Sequence, residues 1–363
     1  MYSNSLLTLS RSKIAFNESV FEDAIRFIHE KKGFSPQDLY QKSPRELVNY
    51  LSQIFTNSIT EGFKQEETPQ YEASETVRNA LRENVFVFSG MKTYQELKEA
   101  SLLLVTDKGE IKPFGQFKED VKSVYQTYNE RYLEAEYDFA VHSSAMAARW
   151  QDFEEDAEEY DLQYRTAGDD KVRPEHAALN GITLPKNDPF WNEYLPPNGW
   201  ECRCTTVQVR KGKYPLSNPE ESQELGKAAT TQKGKDGVNK AAMFRFNSGK
   251  TLKIFPHKHP YFARQSSPQD VKQAQKVVEG MSKKIETWTQ VETKKGKVRI
   301  SSLHGKEEER ENIKIATYLA NKHRYEIDLI AKNDKVKDSR LVQQNTEHVS
   351  GIQKECYSYP LGH

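Results

Sequence analysis

Y-R-T-A-G-D-D-K-V-R-P-E-H-A-A-L-N-G, from Tyr164 to Gly181, leads through D-P-F-W (Asp188–Trp191) into P-P-N-G-W-E-C-R-C (Pro196–Cys204). Proline fixes φ, glycine permits tight turns, and Phe190, Trp191 and Trp200 carry apolar surface that is costly to leave in a floppy loop. Aromatics set between such punctuation predict a rigid, compact, non-repetitive block. Polar landmarks run through it. Arg165, Asp170 and Arg173 are expected to form a buried ion network that fixes the loop. His176, Cys202 and Cys204, with Asp188, offer a zinc set of imidazole, thiolates and carboxylate. The C-x-C spacing is tighter than the usual zinc spacing, and cysteines so placed also form strained disulfides. The alternative is a buried thiol pair with His176 hydrogen-bonded to backbone.

On the N-terminal side, helical signals dominate. Ser43-Pro44-Arg45-Glu46 reads as an N-cap, a first-turn proline and a capping-box glutamate ahead of Leu47, Tyr50, Leu51 and Ile54. Thr93-Tyr94-Gln95-Glu96 repeats the device. The longest helix is expected over Phe117–Trp150, its stripe formed by Phe117, Val121, Val124, Tyr128, Tyr132, Ala135 and Phe139. The acidic run Asp152–Asp161 reads as a solvated face. On the C-terminal side, Thr205–Val209 alternates as a strand, and 211–240 lacks periodicity and reads as a flexible loop. Met243–Lys250 is expected as a strand and turn, and His257-x-His259 as a solvated basic loop. Beyond Gln269 a helix (Val271–Lys284), strands (Glu286–Val291, Val298–Ser302), a helix (Glu308–Lys322) and a strand (Tyr325–Ala331) follow. Together these predict an α+β fold, helix-rich in its N-terminal half, with a compact α+β core and a small C-terminal α+β domain.

The 363 residues are enough for two or three domains, and 29% charged against 36% hydrophobic residues favours several small cores over one large globule. Fifty-three basic residues balance 53 acidic ones, so no net charge draws the chain to nucleic acid or to an anionic membrane. No apolar run is longer than the four residues of Leu102–Val105, far short of a membrane span, and Met1–Asn4 lacks the layout of a secretory signal. Three cysteines make no disulfide framework and suit a reducing compartment. No G-x-S-x-G, H-E-x-x-H or P-loop occurs.

The Tyr164–Cys204 block resembles the signature of the phage Mu F-like head morphogenesis proteins, minor capsid components of tailed phages and prophages. Arg165-Thr166, Asp169/Asp170, Val172-Arg173-Pro174, His176, Leu179, Gly181, Asp188-Pro189 and Pro196–Trp200, ending in Cys202-Arg203-Cys204, carry the likeness in order. It extends more loosely over 85–265, through Asn84–Gly90, Met146–Trp150 and His259–Phe262. The resemblance implies a head morphogenesis domain at 85–265 behind a helical region at 1–84. It also implies portal and capsid proteins as partners, and residence in the virion head after assembly in the bacterial cytoplasm.

The C-terminal block resembles phage-borne nuclease domains of the barnase/EndoU/colicin/RelE-like group, often appended to Mu F-like domains as toxins. Val298–Ser301, Glu309, Glu311-Asn312, Ile315-Ala316, Leu319-Ala320 and Ile327–Ile330 carry it. It implies a metal-independent ribonuclease acting on RNA, with Arg299, His304, Lys306 and Glu309 as candidate groups at the scissile phosphate. Such domains continue with K-[ST]-P-D and a strand bearing E-x-K, whereas this chain reads Val336–Gln344 and Gly351–Lys354. Back-translation displaced by one base permits K-T-P-D and E-Y-K in a single frame. A frameshift near Val336, or programmed slippage there, is therefore the expected cause, leaving a partial domain, inactive as written, at 270–336 and a disordered tail at 337–363.

Overall fold

Phe21, Ala24, Ile25 and Ile28 recur at helical spacing and bury one face of the helix Glu18–Lys31, whose first turn is capped by the Asn17 side chain accepting from Ser19 N at 3.2 Å. The computed structural model describes residues 14–66, 74–155, 158–235, 237–263, 267–283, 287–305, 309–330 and 341–344. The expectations on Met1–Asn4, Lys306, Val336–Arg340 and everything beyond Gln344 lie outside these residues. The fold is α+β. Described residues of 1–73 and 80–283 form one unit, and those of 74–79 and 284–363 form another.

In the first unit the helix Lys42–Glu66 packs along the helix Leu133–Glu155. Gly62 is what lets them touch: a Cβ there would stand 2.3 Å from the Val141 carbonyl oxygen and 2.8 Å from the Ser144 Cβ. A third helix, Glu75–Leu102, starts in the second unit and continues in the first. The capping box expected at Thr93–Glu96 is not a helix start, because Thr93 and Glu96 are buried within this helix. Leu81, Val85, Phe88, Met91, Tyr94 and Leu97 are all buried, and their packing overrides the local cap signal.

The helix expected over Phe117–Trp150 is instead segmented. Phe114–Asp120 and Lys122–Tyr125 are α-helical, Gln126–Tyr132 forms wider π turns, and Leu133–Glu155 is α-helical again. Inserted polar groups account for the wide turns. Lys92 Nζ donates to the Tyr128 carbonyl at 2.6 Å, and Asn129 Nδ2 donates to Glu96 Oε1.

A small antiparallel sheet follows, with β1 (Tyr160–Arg165) between β2 (Thr183–Leu184) and β3 (Thr205–Arg210). Leu162 faces Leu184 across one edge, and Tyr164 faces Thr206 across the other. Two expectations past β3 need correction. The stretch 211–240 contains the helix Pro219–Ala229, capped by Asn218 accepting from Glu221 N at 2.8 Å, with Ser222 and Gly226 buried. Cap and first-turn proline specify it even though its apolar stripe is thin. Met243–Lys250 is not a strand: Lys240–Phe244 is a 3-10 turn and Ser248–Thr251 a short helix that begins at Asn247. The close fit of Gly249 on Trp150, where a Cβ would lie 2.2 Å from the tryptophan Cβ, holds that helix in place.

The second unit is a four-stranded sheet in the order β4 (Trp288–Val291), β5 (Lys297–Ser301), β6 (Glu326–Leu329), β7 (Leu341–Gln344). β5 and β6 run parallel, joined through the crossover helix Glu309–His323, and the two outer pairs are antiparallel. Val298, Ile300, Ala316, Ala320, Ile327 and Leu329 form its core. β7 lies in the stretch expected as a disordered tail: the open edge of β6 gives it a partner, with Glu326 facing Gln344.

Candidate functional site

The signature is an excursion between two hydrogen-bonded strands. Arg165, the last residue of β1, faces Thr205, the first of β3, so the two ends of the block are clamped together. Its interior is filled by Leu179, Ile182, Leu184, Phe190, Trp191, Tyr194 and Leu195, packed on Met146, Trp150 and Phe153 of the long helix. Trp200 is half-buried and joins the aromatic cluster of the helical layer, edge to face with Phe139 at 5.3 Å and with Phe244 at 5.2 Å. The Pro196–Pro197 peptide is cis.

Inside the clamp three soft donors meet. His176 lies on the short helix Pro174–Ala177, and Cys202 and Cys204 lead into β3; all three are buried. Cys202 Sγ is 3.5 Å and Cys204 Sγ 3.7 Å from the same His176 Nδ1, and the three atoms lie within 4.8 Å of one another. Both cysteines are free. The His176 ring thus faces the thiols, not the backbone expected as its alternative partner. The Cys202 thiol is pushed well below its usual range, chiefly by the hydrogen bond from Cys204 and then by His176, against the opposing effect of burial. Cys204 is pushed up by the same hydrogen bond and by burial.

Sequence reading missed the groups around this cluster. His142, on the long helix, offers Nδ1 to the Cys202 carbonyl at 2.7 Å and is buried, which holds its imidazole below its usual pKa. The Tyr164 hydroxyl donates to Asn198 Oδ1 at 2.9 Å, and Asn198 Nδ2 donates to the Leu195 carbonyl at 3.3 Å. Burial raises the Tyr164 hydroxyl well above its usual value. His142 gives no sequence signal, because it is 60 residues from its partner in an ordinary helical stretch.

The expected buried ion network does not form. Asp170 and Arg173 are exposed, and Arg165 donates to Gln163 Oε1 at 3.0 Å. Arg173 instead reaches the Trp200 carbonyl, and the ion pair of the loop is Asp169 with Arg203, two contacts of 2.6 Å at the surface. Solvation of free charges is cheaper at the surface than their burial, so the loop braces itself there. Arg203 holds the Asp169 carboxyl below its usual range. Asp188 stands apart from the thiols and accepts from Phe190 N at 2.8 Å. His259 is buried, not solvated, and burial pushes its imidazole down to about 3.

In the second unit Arg299 is engaged by Asp328, at 2.6 and 2.8 Å, and by Glu75 at 3.1 Å. His304 Nδ1 meets the Ile330 carbonyl at 2.7 Å and Nε2 meets Asn312 Nδ2 at 3.1 Å, an Nδ1–H tautomer with both nitrogens satisfied. Glu309 begins the crossover helix. Among the described residues no hydrogen bond or ion pair joins Arg299, His304 and Glu309 to one another. Among the depressions of the first unit are one of about 600 Å³ beside Gln163, Arg165, Asn180 and Tyr214 and one of about 370 Å³ beside Asp188, Glu193 and Glu220. Neither is lined by the His176 cluster.

Fold and site define an α+β protein whose signature block is cross-braced by its own polar groups. Residues 109–207 match the family described as Phage Mu protein F like protein, so the chain carries a Mu F-like domain. Over 42 residues it is 48% identical to the "Putative capsid assembly protein F" of Escherichia phage Mu and 40% identical to the "Mu-like prophage FluMu F protein" of Haemophilus influenzae. Those stretches cover 12% of this chain and 10% of either relative. No solved structure matches. Among the described residues no helix is long and apolar enough to cross a membrane.

Proposed function

We propose that this protein is a minor head component of a tailed phage or prophage and acts in head assembly, with portal and capsid proteins as its partners. The observation that carries the reading is the 48% identity with a capsid assembly protein across 42 residues. The geometry is in keeping with it. The block between β1 and β3 is cross-braced by Tyr164–Asn198, Arg173–Trp200 and Asp169–Arg203, which suits a stiff docking element. On this reading the protein is made in the host cytoplasm and ends in the virion head.

The alternative, a virion-delivered ribonuclease carried by the Mu F-like domain, draws no support from the second unit, where Arg299 is already bound by two carboxylates. Mass spectrometry of purified heads tests the proposal: the protein is expected as a low-copy component, and its deletion is expected to reduce filled heads. Normal numbers of filled heads lacking the protein would overturn it. Expression of the full chain in bacteria with intact cellular RNA would count against the ribonuclease.

A further inference from the structure

Three donors converge on one point without a disulfide to explain them. We propose that His176 Nδ1, Cys202 Sγ and Cys204 Sγ bind one zinc ion that ties the Pro174–Ala177 helix to the start of β3. The inference does not rest on the head-assembly reading.

The distances carry it first. Zinc bonds of ~2.0–2.1 Å to nitrogen and ~2.3 Å to sulfur, set at tetrahedral angles, give an N···S edge of about 3.6 Å. The observed edges are 3.5 and 3.7 Å. A single imidazole nitrogen has one lone pair or one N–H, so it can engage only one of the two sulfurs by a hydrogen bond, although both lie at that distance. A shared cation uses all three atoms. The C-x-C spacing, tight for a zinc loop read from sequence, serves here because both side chains lie beside the His176 ring.

Charge balance carries it next. Two thiolates and a neutral imidazole cancel the charge of Zn²⁺, which suits donors that are only 3%, 3% and 4% exposed. Thiolate and imidazole also select zinc over magnesium or calcium. The outer groups fit a metal centre: His142 holds the Cys202 carbonyl at 2.7 Å, and the Tyr164 hydroxyl, hydrogen-bonded to Asn198, lies beside the thiols. Asp188, occupied at Phe190 N, does not belong to the set. Three protein ligands leave the fourth corner to a water molecule.

The full chain, expressed with added zinc and purified without chelator, is expected to carry about one zinc per chain by elemental analysis. Replacement by Co²⁺ is expected to give the tetrahedral d–d bands and a sulfur-to-cobalt charge-transfer band. The Cys202→Ser, Cys204→Ser double variant should lose both, and Asp188→Asn should keep both. Should the double variant fail to fold, alkylation of the wild-type chain decides, since Cys202 and Cys204 should resist it until a chelator is added. A chain without zinc or a sulfur-to-cobalt band, a double variant that retains stoichiometric metal, or protection indifferent to chelator would each overturn the proposal.

Discussion

Replacing Glu96 by Gln should flatten the pH dependence of stability in the first unit. Glu96 is buried in the helix Glu75–Leu102; Oε1 accepts from Asn129, and Oε2 has no hydrogen-bond partner among the described groups. Its neighbour Lys92, fully buried, gives its charge to Glu136 Oε2 at 2.8 Å, and Glu136 Oε1 also accepts from Tyr261 Oη at 2.6 Å. Two carboxylates therefore share one ammonium, and one of them must keep a proton. Burial raises both, but hydrogen bonds from Lys92 and Tyr261 favour the charged form of Glu136, so the proton stays on Glu96, which burial pushes up to about 8 despite the opposing effects of Lys92 and Asn129.

The sign follows from linkage. An unfolded glutamate titrates near ~4.3, so between that pH and about 8 the folded state holds a proton that the unfolded state has lost. The stabilisation is full below the unfolded value and is lost as pH rises through the folded one. At ~1.4 kcal/mol per unit of separation the loss is on the order of 5 kcal/mol, with a slope of at most ~1.4 kcal/mol per pH unit. Urea unfolding of wild type and Glu96→Gln, followed by tryptophan fluorescence from about pH 5 to pH 9, measures it. The variant should lack this component and overtake wild type at the alkaline end. Parallel pH profiles for the two proteins would refute the charge-balance argument.

Two packing predictions concern the scaffold around the signature. Trp191→Ala empties a fully buried site that packs edge to face on Phe190 at 4.9 Å, and should cost about 3–5 kcal/mol. Calorimetry should then show a melting temperature lower by roughly 6–20 °C; a shift below about 3 °C would mean the block is not tightly packed. Gly62→Ala sets a Cβ 2.3 Å from the Val141 carbonyl oxygen, a backbone atom that cannot swing aside. A loss of about 1–3 kcal/mol in urea is expected, and an unchanged midpoint would show that the two helices are not in backbone contact.

Local chemistry wrote several features directly into the sequence. Period-2 alternation placed β3, and the apolar stripe from Phe117 marked the helical path. Proline and glycine between tryptophans announced the signature as a compact block, and the thiols and His176 stood out by residue type alone. Other features needed partners distant along the chain. The cap at Thr93 looked valid until Leu81–Leu97 buried the whole helix around it, and the wide turns at Gln126–Tyr132 follow from Lys92, 36 residues earlier, reaching the Tyr128 carbonyl. Arg165, Asp170 and Arg173 were alike as charges, and only the folded loop showed that Asp169 and Arg203 form the pair while Asp170 stays in water.

By itself the sequence determined residue type and local period, and through them the α+β class and the block's rigidity, because propensity and punctuation act over a few residues. Tertiary structure decided which side chains meet: it brought His176 to both cysteines, His142 to the Cys202 carbonyl and Lys92 to Glu136. Hydrogen bonds and buried charges depend on distances that only a closed fold sets.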